Sequence, residues 1–318
     1  MRLSHFAAFL SLLAVAGVLL LPTAGCGAKK KGAKALTIKQ QLEKAEAEGT
    51  PDRQAAALLK VARAQWNAGD RSGAKETAKT AFNKVKSGDG DPSLFALRLV
   101  DAAEFFARIT DKKQVREALK LALGWAEKIE DPIRKTKVLA AAGGIFGNRD
   151  KDKGLADSKL AKATMEQAAE VANGVEERFR AEALAAVALG YAKAGMPTEA
   201  GEKVVQLEES ARALEEPRAK AEALAAAADV HIQIDHKDEA LKLLEEAAAA
   251  AKSVERSESR AYALLAVAEI TAAVGNTKKA LALLKEADKS ADKVADPEQQ
   301  KIVVAKVRST IAELEKKK

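Results

Sequence analysis

Apolar positions return along this chain about every 40 residues. Leu58, Leu99, Leu139, Leu184, Leu224, Leu264 and Val304 fall at equivalent places. The segment from Arg180 to Ala186 comes back as Lys220 to Ala226 and again as Arg260 to Ala266. Further along each unit comes a break, at Gly69, Thr110, Gly195, Asp235 and Gly275. A small or apolar residue follows it, at Ala74, Val115, Ala200, Ala240 and Ala280. Unit starts are marked as regularly. Pro51, Pro92, Pro132, Pro217 and Pro297 follow Thr50, Asp91, Asp131, Glu216 and Asp296, with Glu177 and Ser257 filling the two gaps. Proline after a capping residue is the signature of a helix start, because its missing N–H is one the first turn cannot use. The pattern predicts six helical hairpins, near residues 50–90, 91–130, 131–176, 177–216, 217–256 and 257–296. Each has two helices of ~25 Å. One such helix cannot bury its apolar stripe alone, so neighbouring hairpins must stack into one repeat array. A short helix is expected over 37–49, opened by a capping box at Thr37 and Gln40 and closed by Gly49. A last helix over 297–318 covers the open end.

Composition agrees with an all-α chain. Aromatics make up only 4% of the 318 residues, and alanine dominates the apolar content. Alanine and the straight-chain residues are the strong helix formers. The N-terminus stands apart. Arg2 precedes an apolar run from Ala7 to Leu21, shorter than the roughly 20 residues a membrane-spanning helix needs. Pro22, Thr23, Ala24, Gly25 and Cys26 end the run. Small residues in that place mark a signal-peptide cleavage site. The single cysteine after Ala24 and Gly25 resembles the lipobox of bacterial lipoproteins, which implies that residues 1–25 are a signal peptide and Cys26 is the lipidated N-terminus. A basic tether over 26–36 follows, with Lys29, Lys30, Lys31 and Lys34 able to rest on anionic headgroups or simply to be solvated. Residues 27–150 carry 25 Lys/Arg against 16 Asp/Glu, whereas residues 151–318 carry 27 against 30. For a protein outside the cytoplasm, nucleic acid is a poor explanation of the basic half; an envelope polyanion or a membrane surface is a better one.

The spacing of Leu184, Val187, Ala188, Tyr191, Gly195 and Ala200 resembles the helix-turn-helix pattern of the tetratricopeptide repeat family. Leu58, Val61, Ala62, Gly69 and Ala74 do the same in the first unit. Leu264, Val267, Ala268, Gly275, Ala280, Leu284 and Ala287 do so in the sixth. The period is longer than that family's 34 residues, and its tryptophan position holds Leu or Ala. The resemblance covers residues 50–296 and implies a right-handed α-solenoid whose first helices line an inner groove. A HEAT-like helical array is the alternative.

No catalytic constellation stands out. Of three histidines, His5 leaves with the signal, His231 aligns with the packing residue Tyr191, and His236 falls in the following turn. Their spacing of five does not match the i, i+4 pairs of zinc-binding helices. The third unit holds five extra residues, and Asn148, Asp150 and Asp152 there have the alternation of a calcium loop. Lys153 and Lys159, however, replace the turn glycine and the closing glutamate. Gly143 and Gly144 lie in a helical run, where they let neighbouring helices approach. No cofactor, metal site or enzymatic role is expected.

If the register of the resemblance holds, the groove presents Arg63, Trp66 and Asn67, then Glu104 and Arg108, then Lys137 and Asn148. Lys193, then Asp229 and Gln233, then Tyr262 and Glu269 continue it. Trp66 and Tyr262 would be its aromatic anchors; the alternative is that Trp66 packs against the N-terminal helix and the charges are solvated. The reading that follows is a lipid-anchored, periplasm-facing envelope lipoprotein, in the outer membrane because Gly27 rather than Asp follows Cys26. It would hold a protein or peptide partner as an adaptor. The alternative is a non-enzymatic binding module for an anionic envelope polymer.

Overall fold

The computed structural model describes residues 36–86, 88–150 and 152–316. The expected signal peptide, Cys26 and the lysine-rich tether lie outside the described residues, apart from Leu36 at the tether's end. The described chain is all helical: α1 (Ile38–Glu46), α2 (Pro51–Asn67), α3 (Arg71–Lys86), α4 (Pro92–Arg108), α5 (Lys112–Ala126), α6 (Pro132–Gly147), α7 (Ser158–Asn173), α8 (Glu177–Lys193), α9 (Pro197–Ala213), α10 (Pro217–Gln233), α11 (Lys237–Lys252), α12 (Ser257–Ala273), α13 (Thr277–Ala291) and α14 (Pro297–Lys316). From α2 to α13 they form six hairpins, and α14 packs on α12 and α13.

The helix starts follow from their residues. Asp91 accepts hydrogen bonds from the backbone N–H groups of Ser93 and Leu94, and Asp131 from those of Ile133 and Arg134. Glu216 caps Arg218 and Ala219 in the same way. Thr37 and Gln40 form the expected capping box, but α1 ends at Glu46, short of Gly49. Thr50 holds the capping position of α2 without making the side-chain bond; there the proline and the backbone suffice.

One turn closes five of the hairpins. The N–H groups of Asp70, Asp111, Met196, His236 and Asn276 reach back to the carbonyls of Gln65, Phe106, Tyr191, His231 and Thr271, at 2.8–3.1 Å. This is the Schellman closure, which needs a residue at positive φ. Gly69, Gly195 and Gly275 supply it without strain; Thr110 (φ 59°) and Asp235 (φ 65°) supply it against the preference of a Cβ-bearing residue. In the third hairpin the loop between α6 and α7 replaces that turn. There Asn148 accepts from the N–H of Asp150, Asp150 accepts from the N–H of Asp152, and Lys153 pairs with Asp150 at 2.9 Å. The oxygens of this loop therefore serve its own backbone and its own lysine.

The hairpins stack in two layers. First helices α2, α4, α6, α8, α10, α12 and α14 pack on one another in succession. Each second helix touches its own partner and the next first helix. The architecture is an α-solenoid with the first helices as its inner wall. The core changes character along its length. Phe82, Phe95, Phe105 and Phe106 fill the N-terminal hairpins, with Phe82 and Phe106 edge to face at 5.9 Å. In α10 alanines do the same work, with Ala221, Ala223, Ala225, Ala227 and Ala228 all buried. A helix buried around most of its circumference has lost the one-sided stripe of a surface helix.

The closest first-helix contact is between α6 and α8, and glycine makes it possible. A Cβ on Gly190 would lie 2.8 Å from the carbonyl oxygen of Ala140, and one on Gly147 would lie 2.6 Å from that of Ala194. Gly144 faces Lys193 and the Gly190 carbonyl, while Gly143 faces Met165. The close approach expected at Gly143 and Gly144 is thus present, and Gly147 and Gly190 enforce it more strictly.

Candidate functional site

Within each first helix, the residues 5, 12 and 16 positions beyond its first one lie on a single face, since steps of 7 and 4 return to the same side of an α-helix. The first row reads Lys137, Glu182, Glu222 and Tyr262 across α6, α8, α10 and α12. In the second, Arg63, Glu104, Asp229 and Glu269 appear, with Gly144 and Leu189 between. Asn67, Arg108, Asn148, Lys193 and Gln233 form the third. A polar stripe therefore runs along the inner wall over successive repeats.

The structure brings most of the expected residues onto this stripe, in different states. Asn67, Glu104, Arg108, Lys193 and Gln233 are exposed, while Arg63, Lys137, Asn148, Tyr262 and Glu269 are half-buried. Asp229 is buried. Trp66 differs from an open anchor. Its ring meets Phe105 edge to face at 6.5 Å, and the Arg71 guanidinium lies 3.5 Å over it. It clamps α4 and the start of α3 as well as offering an edge.

Ion pairs tie successive helices across the wall. Arg63 reaches Glu104 at 3.5 Å, and Lys137 pairs with the buried Glu182. Within α10, Arg218 Nε holds Glu222 Oε1 at 2.8 Å. Lys193 lies near Asp229, which also bonds Gln233, and Lys306 lies near Glu269 and 5.6 Å over the Tyr262 ring. Sequence reasoning passed over Glu182, Glu222, Arg218 and Lys306. The signal for the first two was available: they stand at the same register as Lys137 and Tyr262. Alanine-rich surroundings hid it, because a glutamate in such a helix reads as a solvated one.

Burial pushes the carboxyls of Glu222, Asp229, Glu269 and Asp101 above their ordinary values. Nearby cations oppose the shift: Arg218 at Glu222, Lys193 at Asp229, Lys306 at Glu269, and Arg98 and Arg63 at Asp101. The sign of the linkage follows. A folded state that holds protons more tightly than the unfolded chain loses stability as pH rises from the ordinary carboxylate range through the raised values. Asp229→Asn is therefore expected to melt higher than the parent at neutral pH. The gap should close as pH falls to about 4, where an ordinary carboxylate takes its proton. Thermal melts of the two proteins across that range check it, and an equal midpoint at neutral pH would show that Asp229 carries no such penalty.

His231 is buried in α10, with Nε2 2.8 Å from Glu208 Oε1. The turn after α10 brings the His236 ring to 5.7 Å from it, a closeness that sequence spacing did not suggest. Among the described residues no group of three or more His, Cys, Asp or Glu is placed to hold a metal ion. Nor is any described helix long and apolar enough to cross a membrane.

No protein-family model matches the chain, and no curated protein matches it. Solved structures do. Ton1535 from Thermococcus onnurineus NA1 is 15% identical, with 84% of this chain and 94% of that one covered and a TM-score of 0.42. BtubC from P. vanneervenii is also 15% identical, with 80% and 91% covered and a TM-score of 0.39. A Rap protein complexed with competence and sporulation factor is 14% identical, with 86% and 80% covered and a TM-score of 0.39.

Proposed function

We propose that this chain is a lipid-anchored adaptor of the bacterial envelope, holding a protein or peptide partner in its inner groove without doing chemistry on it. One observation carries the reading: the continuous polar stripe on the first helices, with Asn67, Glu104, Arg108, Lys193 and Gln233 exposed along it. A wall of rigid helices presenting exposed donors and acceptors at a fixed interval suits an extended partner. Cys26, behind Ala24 and Gly25, is the attachment point, and two or more acyl chains there give stable anchoring where one gives only marginal binding. The mature chain faces the periplasm from the outer membrane.

The test is crosslinking in intact cells, followed by recovery and mass spectrometry. Parent, Cys26→Ala and Arg108→Glu/Gln233→Ala forms are compared. One dominant protein partner is expected, with recovery reduced about tenfold or more by the groove substitutions, as for loss of charged contacts at an interface. Cys26→Ala should leave the fold intact and release the protein from the membrane fraction. Recovery unchanged by Arg108→Glu/Gln233→Ala would remove the groove from consideration. Steep loss of retention with salt, with envelope polymer recovered and no protein, would favour the polyanion-binding alternative.

A further inference from the structure

Glu222 and Asp229 stand two turns apart on the inner face of α10, ~10 Å along its axis. Both are more than nine-tenths buried, at 4% and 6% exposure. Each carboxylate is only half served. Glu222 Oε1 is held by Arg218 and Asp229 is bonded by Gln233, yet Glu222 Oε2 and Asp229 Oδ2 are buried and accept no hydrogen bond. Burying an acceptor without a partner is costly, and more so for a charged one, so proteins seldom keep such atoms without a use. The two atoms lie on one face of the same helix, two turns apart, and ask for the same thing, a cationic donor.

We propose that this part of the groove receives lysine or arginine side chains of a basic peptide segment. The proposal rests on the groove reading above and specifies the chemistry of its occupant. Charge complementarity argues for it: Glu182, Glu222, Asp229 and Glu269 all stand on the inner faces of α8, α10 and α12, and the row holding Glu182 and Glu222 continues to the Tyr262 ring. Spacing argues for a peptide. In a polyproline-II segment, residues three apart point the same way and lie ~9 Å apart, close to the separation of the two carboxylates. Access is by exchange. Arg218 and the exposed Lys193 stand beside these carboxylates on flexible stems, and an incoming cation takes over their role as they swing outward. A bound cation favours the ionised carboxylates, so affinity should rise with pH as their protons leave.

The experiment uses the full chain and a fluorescent peptide with lysine at every third position, followed by anisotropy. Binding to the parent is expected. It should weaken about tenfold or more in Glu222→Gln/Asp229→Asn, which removes the charge from two charge-assisted bonds while keeping shape. Glu117→Gln, on the outer surface where Glu117 pairs with Lys86, should leave it unchanged. The isosteric changes also remove buried charge, so a melt at or above that of the parent separates lost binding from lost fold. Equal binding by the double variant overturns the proposal, as does failure of the peptide to bind the parent. Binding of spermine without the peptide overturns the peptide as occupant. Persistence of the groove-dependent partner in cells, alongside any of these failures, leaves the adaptor reading standing.

Discussion

Replacing Phe106 with alanine is expected to destabilise the N-terminal hairpins by about 3–5 kcal/mol, the cost of emptying a fully buried aromatic site. Phe106 has no exposed surface, and its ring meets Phe82 of the preceding hairpin edge to face. It therefore joins two units as well as filling one. The adjacent Phe105 is also buried and meets Trp66 of α2 edge to face, so α2 and α4 keep an aromatic contact when Phe106 is removed. Both tryptophans, Trp66 and Trp125, belong to the first two hairpins, so their fluorescence reports that end while far-UV circular dichroism reports the whole array. In Phe106→Ala the fluorescence midpoint in urea should fall well below the dichroism midpoint. Coincident curves shifted together would mean that the array melts as one unit.

The second large effect is at the α6–α8 seam. Gly147→Ala puts a methyl group 2.6 Å from the Ala194 carbonyl oxygen, 2.8 Å from the Ala194 Cβ and 2.9 Å from the Ala161 Cβ. Two of those neighbours belong to a segment fixed by the following turn, so relief requires moving backbone. Overpacking of this kind costs about 1–3 kcal/mol. Gly190→Ala meets the Ala140 carbonyl oxygen at 2.8 Å and the end of Met165, and a gain of about 1 kcal/mol in helix propensity offsets part of its cost. Gly124→Ala is the control. It lies in α5 with nothing within 4 Å of the new methyl, so it should stabilise by up to about 1 kcal/mol. Urea unfolding of the three variants reads the order directly. Gly147→Ala at or above the parent would mean the seam has room the geometry does not show.

Much of this architecture could be read from residues. The proline and capping residue at most unit starts, the break five residues before a small or apolar one, and the recurring leucines placed the helices closely, because each signal is a local steric or hydrogen-bonding requirement. Two of the breaks, Thr110 and Asp235, were found by alignment with glycines elsewhere, although the β-branched threonine argues against positive φ. The inner wall was harder. Arg63, Glu104, Lys193 and Gln233 were legible because they recur at fixed places in the unit of about 40 residues. The half-served state of Glu222 and Asp229 was not, since it depends on how closely α8 and α12 approach α10. That approach is set by alanines whose spacing along one helix says nothing of the distance to the next. The role of Trp66 was open for the same reason: the partners that hold it, Phe105 and Arg71, lie on two other helices.

Every hairpin in the array leans mainly on the ones just before and after it. A disturbance introduced at one hairpin therefore fades within a neighbour or two, and separation along the chain works as insulation. The aromatic N-terminal hairpins and the carboxylate-lined C-terminal ones can be altered independently, one setting the stability of its own end and the other the charge of the opposite wall.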